Sequence, residues 1–193
     1  MPITLRIGRY EPFSTVMLRS LKHALREAGL LLNQPSLDKV MAFTYNHLTV
    51  FPEVPATLAE LERMSNITPV IFSNDTDAMV STSLLNSLHA HPFKHIVTVE
   101  EAEEYKPAPG VYNFLARKVG KRKGKMGEVW LVSENPIDVV GARAAGMQAV
   151  WVDRGASGFG WADQLVEGEE GRPTAVVRDL TEIVRVIRGH IKT

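Results

Sequence analysis

Glu128-Val129-Trp130-Leu131-Val132 runs into Ser133-Glu134-Asn135-Pro136-Ile137-Asp138; a helical stretch from Asp138 to Ala145 comes after it, Gly146 stops that helix, and Ala149-Val150-Trp151-Val152 is next. This is a strand, a polar turn, a helix and a second strand. Two parallel strands need a crossover of about that length, and a helix is its usual form. The same alternation extends in both directions. Upstream, Pro69-Val70-Ile71-Phe72-Ser73 is a short apolar run, continuous rather than alternating, which is how a strand covered on both faces reads. It is followed by a helix from Asp75 to Leu88, a strand His95-Ile96-Val97-Thr98-Val99 and a helix from Gly110 to Val119. Downstream come a strand Thr174-Ala175-Val176-Val177 and a closing helix from Leu180 to Ile191. Strands alternating with helices imply βαβ units and a parallel sheet. In such sheets functional residues gather where the strands end.

The first 50 residues have a different character. Phe13, Val16, Met17, Leu21, Leu25 and Ala28 recur at helical spacing, which predicts an amphipathic helix from Pro12 to Leu32 with Gly29 near its end. A second helix follows Pro35-Ser36, with Leu37, Val40, Met41 and the Tyr45 to Leu48 region on one face. Together they form an αα-hairpin. Ala56 to Met64, with Pro55 in its first turn, is a further helix that opens the alternating part.

Composition narrows the partners. The 193 residues include 22 basic and 22 acidic side chains, so the net charge is zero. Nucleic acid and anionic membranes both require a basic excess, and neither is expected as a partner. The one basic cluster, Lys121-Arg122-Lys123-Gly124-Lys125, reads as a solvated loop. There is no cysteine, which excludes disulfides, a thiolate metal site and a cysteine nucleophile. No apolar run reaches the ~18 residues of a membrane span, and the N-terminus has no signal-peptide core. These features predict a cytoplasmic protein. The histidines lack metal-ligand spacing, and Gly155-Ala156-Ser157-Gly158-Phe159-Gly160-Trp161 has no Lys-Ser/Thr after it, so it reads as a surface loop rather than a phosphate cradle.

Three successive strand ends carry polar side chains. They are Ser73-Asn74-Asp75, then Tyr105-Lys106-Pro107-Ala108-Pro109, then Ser133-Glu134-Asn135-Pro136-Ile137-Asp138. One such segment is often only a helix cap; three together, with a lysine and an aspartate among them, point to chemistry.

The set resembles the haloacid dehalogenase superfamily, and within it the L-2-haloacid dehalogenase-like branch, from about Tyr10 to the C-terminus. Phe72-Ser73-Asn74 is similar to that family's second motif, Tyr105 to Pro109 with Tyr112 to its third, and Ser133 to Asp138 with Gly141-Ala142-Arg143-Ala144-Ala145-Gly146-Met147 to its fourth. The 33 residues from Ser73 to Lys106 and the six from Lys106 to Tyr112 suit the branch. So does Ala149-Val150-Trp151-Val152-Asp153-Arg154. The resemblance implies an α/β fold: a three-layer parallel sheet of Rossmannoid type with a reduced helical cap over residues 1–50 and a core over residues 51–193. It implies Lys106, Asp138 and Ser133 as catalytic groups, with Lys106 keeping a carboxylate nucleophile ionised and Asp138 orienting Lys106 or a water. Ser73, Asn74, Tyr112 and Asn135 would hold the substrate, a small organic acid, without a cofactor.

Two departures shape the expectation. No segment of this sequence matches the family's first motif, whose leading aspartate is the covalent nucleophile. The core would then lack its first strand and leave two unpaired strand edges. Ile3-Thr4-Leu5-Arg6-Ile7 is either a substitute strand or the start of the cap, the latter being preferred, and a second copy of the chain is another way to complete the sheet. Glu134, four residues before Asp138, is the second departure: magnesium-dependent branches carry an acid there. The pair Glu134 and Asp138 is therefore the one weak Mg²⁺ candidate, and no metal is expected. Three functions remain: a 2-haloacid hydrolase, a repurposed isomerase or cyclase of a larger organic substrate using the same groups, and a non-catalytic binding protein.

Overall fold

The computed structural model describes residues 9–46, 48–88, 91–121, 124–155 and 171–191. The Ile3 to Ile7 segment and positions 156–161 of the glycine-rich stretch lie outside the described residues. The chain divides into two compact units: Met1–Phe51 with Pro69–Tyr105, and Pro52–Thr68 with Lys106–Thr193. The structure is α/β with parallel strands throughout.

The first unit contains α1 (Phe13–Glu27), α2 (Gln34–Asn46), β1 (Val70–Ser73), α4 (Asp77–Ser87) and β2 (His95–Thr98). Helix α1 stops at Glu27, short of the Leu32 that the periodicity predicts. Gly29 takes φ +70°, a left-handed conformation that glycine adopts without strain, and its N–H donates to the Arg26 carbonyl while Leu30 N–H donates to that of Leu25. Leu30, Leu31 and Leu32 are exposed beyond it. Strands β1 and β2 pair in parallel with Ile71 opposite Ile96 and Ser73 opposite Thr98. All four residues of β1 are half-buried, whereas the continuous apolar run predicts full cover. The physical reason is that β2 is its only strand neighbour among the described residues.

The second unit contains α3 (Val54–Glu62), α5 (Pro109–Lys118), β3 (Trp130–Ser133), α6 (Pro136–Ala144), β4 (Gln148–Val152), β5 (Ala175–Val177) and α7 (Ile183–Ile191). The strands lie in the order β3-β4-β5. Val150, Val152, Val177, Ile183 and Ile187 form a buried cluster, with Leu61, Met64, Trp130 and Leu180 packed around it. Strand β3 begins at Trp130 rather than Glu128, because Met126–Glu128 is one turn of 3₁₀ helix. Lys121 and Lys125, the described lysines of the basic cluster, both pair with Glu128.

Candidate active site

In the second unit, the end of β3 and the first turn of α6 build the site. Strand β3 carries Ser133 at its last position, and Asn135 then caps α6, its side-chain oxygen accepting from Ile137 N–H at 3.0 Å. Pro136 occupies the first turn, where its missing N–H costs nothing. This fixes Asp138 in the first turn of α6, where the helix dipole favours a negative charge.

Lys106 Nζ donates to Asp138 Oδ2 at 3.0 Å, and the two side chains are only 8% and 14% exposed. Ser133 Oγ lies 3.3 Å from the same oxygen and accepts from Asn135 N–H at 3.0 Å. One carboxylate oxygen thus takes both a cation and a hydroxyl. Tyr112 is fully buried, and its hydroxyl donates to the backbone carbonyl of Asp138 at 3.1 Å. Burial first, then the Asp138 charge, pushes the Tyr112 phenol well above its ordinary range, so it stays a neutral donor. Gly141, one turn after Asp138, faces the Tyr112 ring of α5. A Cβ there would sit 2.3 Å from Tyr112 Oη, so a side chain at 141 would displace the tyrosine.

The Ser133–Asp138 turn is held from behind. Trp151 Nε1 donates to the Glu134 carbonyl at 3.1 Å. Arg154 pairs with Glu53 and has its Nε 3.6 Å from Glu134 Oε2. Sequence reasoning misses this support; the one signal for it is an arginine placed shortly after an apolar strand. It also bears on Mg²⁺. The Glu134 carboxylate lies 3.6 Å from Arg154 Nε, and that of Asp138 lies 3.0 Å from Lys106 Nζ. No cluster of three potential ligands occurs among the described residues. An open groove lined by Glu60, Thr181, Val184, Arg185, Arg188 and Gly189 shares no residue with this site.

The first unit holds Ser73 and Asn74. Ser73 Oγ lies 2.9 Å from Asp75 Oδ2 and accepts from Asp75 N–H at 3.1 Å. Nearby, Tyr105 stacks against Tyr10 at 5.3 Å between ring centroids and donates to the Glu11 carbonyl. Its phenol is pushed up to about 12, mainly by burial, with Tyr10, Glu100, Glu11 and Asp75 adding to the rise.

Residues 2–146 match the haloacid dehalogenase-like hydrolase family. The chain is similar to (S)-2-haloacid dehalogenase 1 of Pseudomonas sp. (strain CBS-3), with 30% identity over 148 residues, 77% of this chain and 63% of the relative. It thus spans slightly less than two thirds of that relative's length. It is 31% identical over 200 residues to an (S)-2-haloacid dehalogenase of Xanthobacter autotrophicus, covering 95% of this chain and 76% of the relative. Among solved structures it resembles the L-2-haloacid dehalogenase from Xanthobacter autotrophicus with chloropropionic acid covalently bound: TM-score 0.81, 28% identity, 97% of this chain and 80% of that one. Among the described residues no helix is long and apolar enough to cross a membrane.

Proposed function

Because this chain belongs to the haloacid dehalogenase-like hydrolase family, in its L-2-haloacid dehalogenase-like branch, we propose that its pocket serves hydrolysis of a carbon–halogen bond in a small 2-haloacid or a related compound. The observation that carries this is the Lys106–Asp138–Ser133 cluster. A nearly buried ammonium is held at 3.0 Å by a carboxylate that a hydroxyl also approaches.

Each group has a role set by its surroundings. Lys106, held in place by Asp138, lowers the cost of ionising a carboxylate nucleophile brought beside it. Asp138 fixes the direction of the ammonium and is itself fixed by the helix turn. Ser133 and Asn135 add hydrogen bonds without charge, and Tyr112 secures the backbone at Asp138. Ser73 and Asn74 are proposed to hold the acyl end of the substrate. The covalent step needs an aspartate of the first motif, so halide release is expected only from a chain that carries one. The hydrolysis proposed here is cofactor-free, with Glu134 and Asp138 each paired with a cation.

Residues 1–50 are proposed as a reduced cap and residues 51–193 as the core. A cytoplasmic location, no nucleic-acid or membrane partner, and a homodimer that completes the sheet belong to the same proposal. The dimer rests on the lone strand neighbours of β1 and of β3 among the described residues.

Calorimetric titration of the 193-residue chain with 2-chloropropionate and its neutral amide tests the pocket directly. Binding of at least one compound, weakened about tenfold or more by Lys106→Met, is expected. Binding indifferent to that substitution would sink the assignment.

A further inference from the structure

The turn after β1 is where the proposed function places the acyl end of the substrate, and there the Ser73 hydroxyl and the Asp75 N–H are already engaged with each other. An ionised carboxylate has no proton to give, so across the 2.9 Å contact it is the Ser73 hydroxyl that donates to Asp75 Oδ2. Asp75 N–H donates back to Ser73 Oγ, closing a ring of two hydrogen bonds. Two further donors downstream are committed as well: Asp77 N–H to Glu100 Oε2 at 2.8 Å, and Met79 N–H to the Thr76 hydroxyl at 3.3 Å. What Ser73 keeps for a ligand is a lone pair, beside the charge of Asp75. Binding a carboxylate there would need the Ser73–Asp75 bond broken and would bring two negative charges together.

We propose that Asp75 is a specificity-determining residue that sets the turn at Ser73 against carboxylate anions and toward neutral acyl groups that carry a donor, such as a 2-halo amide. An amide N–H donates to the Ser73 lone pair or to Asp75, and no like charge is introduced. The half-buried Tyr105 phenol, raised first by desolvation and then by Tyr10, Glu100, Glu11 and Asp75, stays a neutral group in the same neighbourhood. The inference rests on the reading that Ser73 holds substrate.

The test compares 2-chloropropionamide with 2-chloropropionate by calorimetric titration of the full chain and its Asp75→Asn, Asp75→Gly and Ser73→Ala variants at neutral pH. The wild-type chain is expected to prefer the amide by about tenfold or more, a result that requires no variant to fold. Both Asp75 variants should shift that preference toward the acid by a similar factor, and Ser73→Ala should weaken both compounds. If Ser73→Ala weakens binding while the acid is preferred by the wild type, or while either folded Asp75 variant leaves the preference unmoved, the role of Asp75 is overturned and Ser73 remains a substrate residue. If Ser73→Ala changes nothing, the placement of substrate at Ser73 falls, and this inference with it.

Discussion

Strand β4 has β3 on one side and β5 on the other, and four of its five residues are buried; β1 has β2 alone, and all four of its residues remain half-buried. Yet β1 is the more apolar of the two, with Val70-Ile71-Phe72 against Gln148-Ala149-Val150. Burial in a sheet depends on neighbours rather than on the hydrophobicity of the strand itself. The contrast extends to the two units. The second has the Val150–Ile187 cluster and the fully buried Tyr112, Met147 and Val139. The first exposes Leu31 at 86%, Leu85 at 79% and Phe43 at 70%. The Lys106–Asp138–Ser133 cluster lies in the unit with that buried core.

Four measurements break or sharpen that contrast. The largest effect is expected for Lys106→Met, which strands the nearly buried Asp138 charge and should cost about 3–5 kcal/mol in denaturant unfolding; a loss below about 1 kcal/mol, the worth of a surface pair, would mean that the pair is solvated. Next, Ile187→Ala should cost about 2–5 kcal/mol as a core truncation, against less than about 0.5 kcal/mol for Leu85→Ala on the exposed face of α4. Equal costs would erase the difference between the units. Hydrogen exchange should then find β4 amides protected about tenfold or more beyond those of β1; the reverse order would show that β1 gains cover in solution. The smallest effects concern the two helix caps. Removing the Asn135 cap of α6 by Asn135→Ala should cost about 1 kcal/mol, and Thr76→Ala at the start of α4, with its longer 3.3 Å bond, roughly half of that. Thermal melts resolve the pair, and a larger loss at Thr76 would place the firmer helix start in the first unit.

What the sequence makes legible depends on the range of the physics involved. Local patterns are legible: the apolar runs at Val70, His95, Trp130 and Ala149 are strands, and Pro12, Pro55 and Pro136 each stand at a helix start. The end of α1 is hidden from the periodicity because the apolar residues continue past Gly29, while a left-handed glycine stops the helix whichever residues come after it. Lys106, Asp138 and Ser133 are legible as a set because they sit at strand ends, and the fold brings all three together. Pairwise packing is not legible. Nothing in the residue order shows that Gly141 must be bare to admit Tyr112, that Arg154 bridges Glu53 and Glu134, or that Asp75 takes the hydroxyl proton of Ser73. Those depend on side-chain directions that only a folded backbone sets.

The most direct test is halide release from 2-chloropropionate and its amide by a form of this chain that carries a first-motif aspartate, with and without Lys106→Met. Release that falls by a factor of about 1,000 or more on losing Lys106, the scale on which fixed charges act in enzyme sites, is the predicted result. Release unaffected by Lys106→Met, or no release from either compound while the chain binds them, would contradict the assignment of this pocket to carbon–halogen hydrolysis.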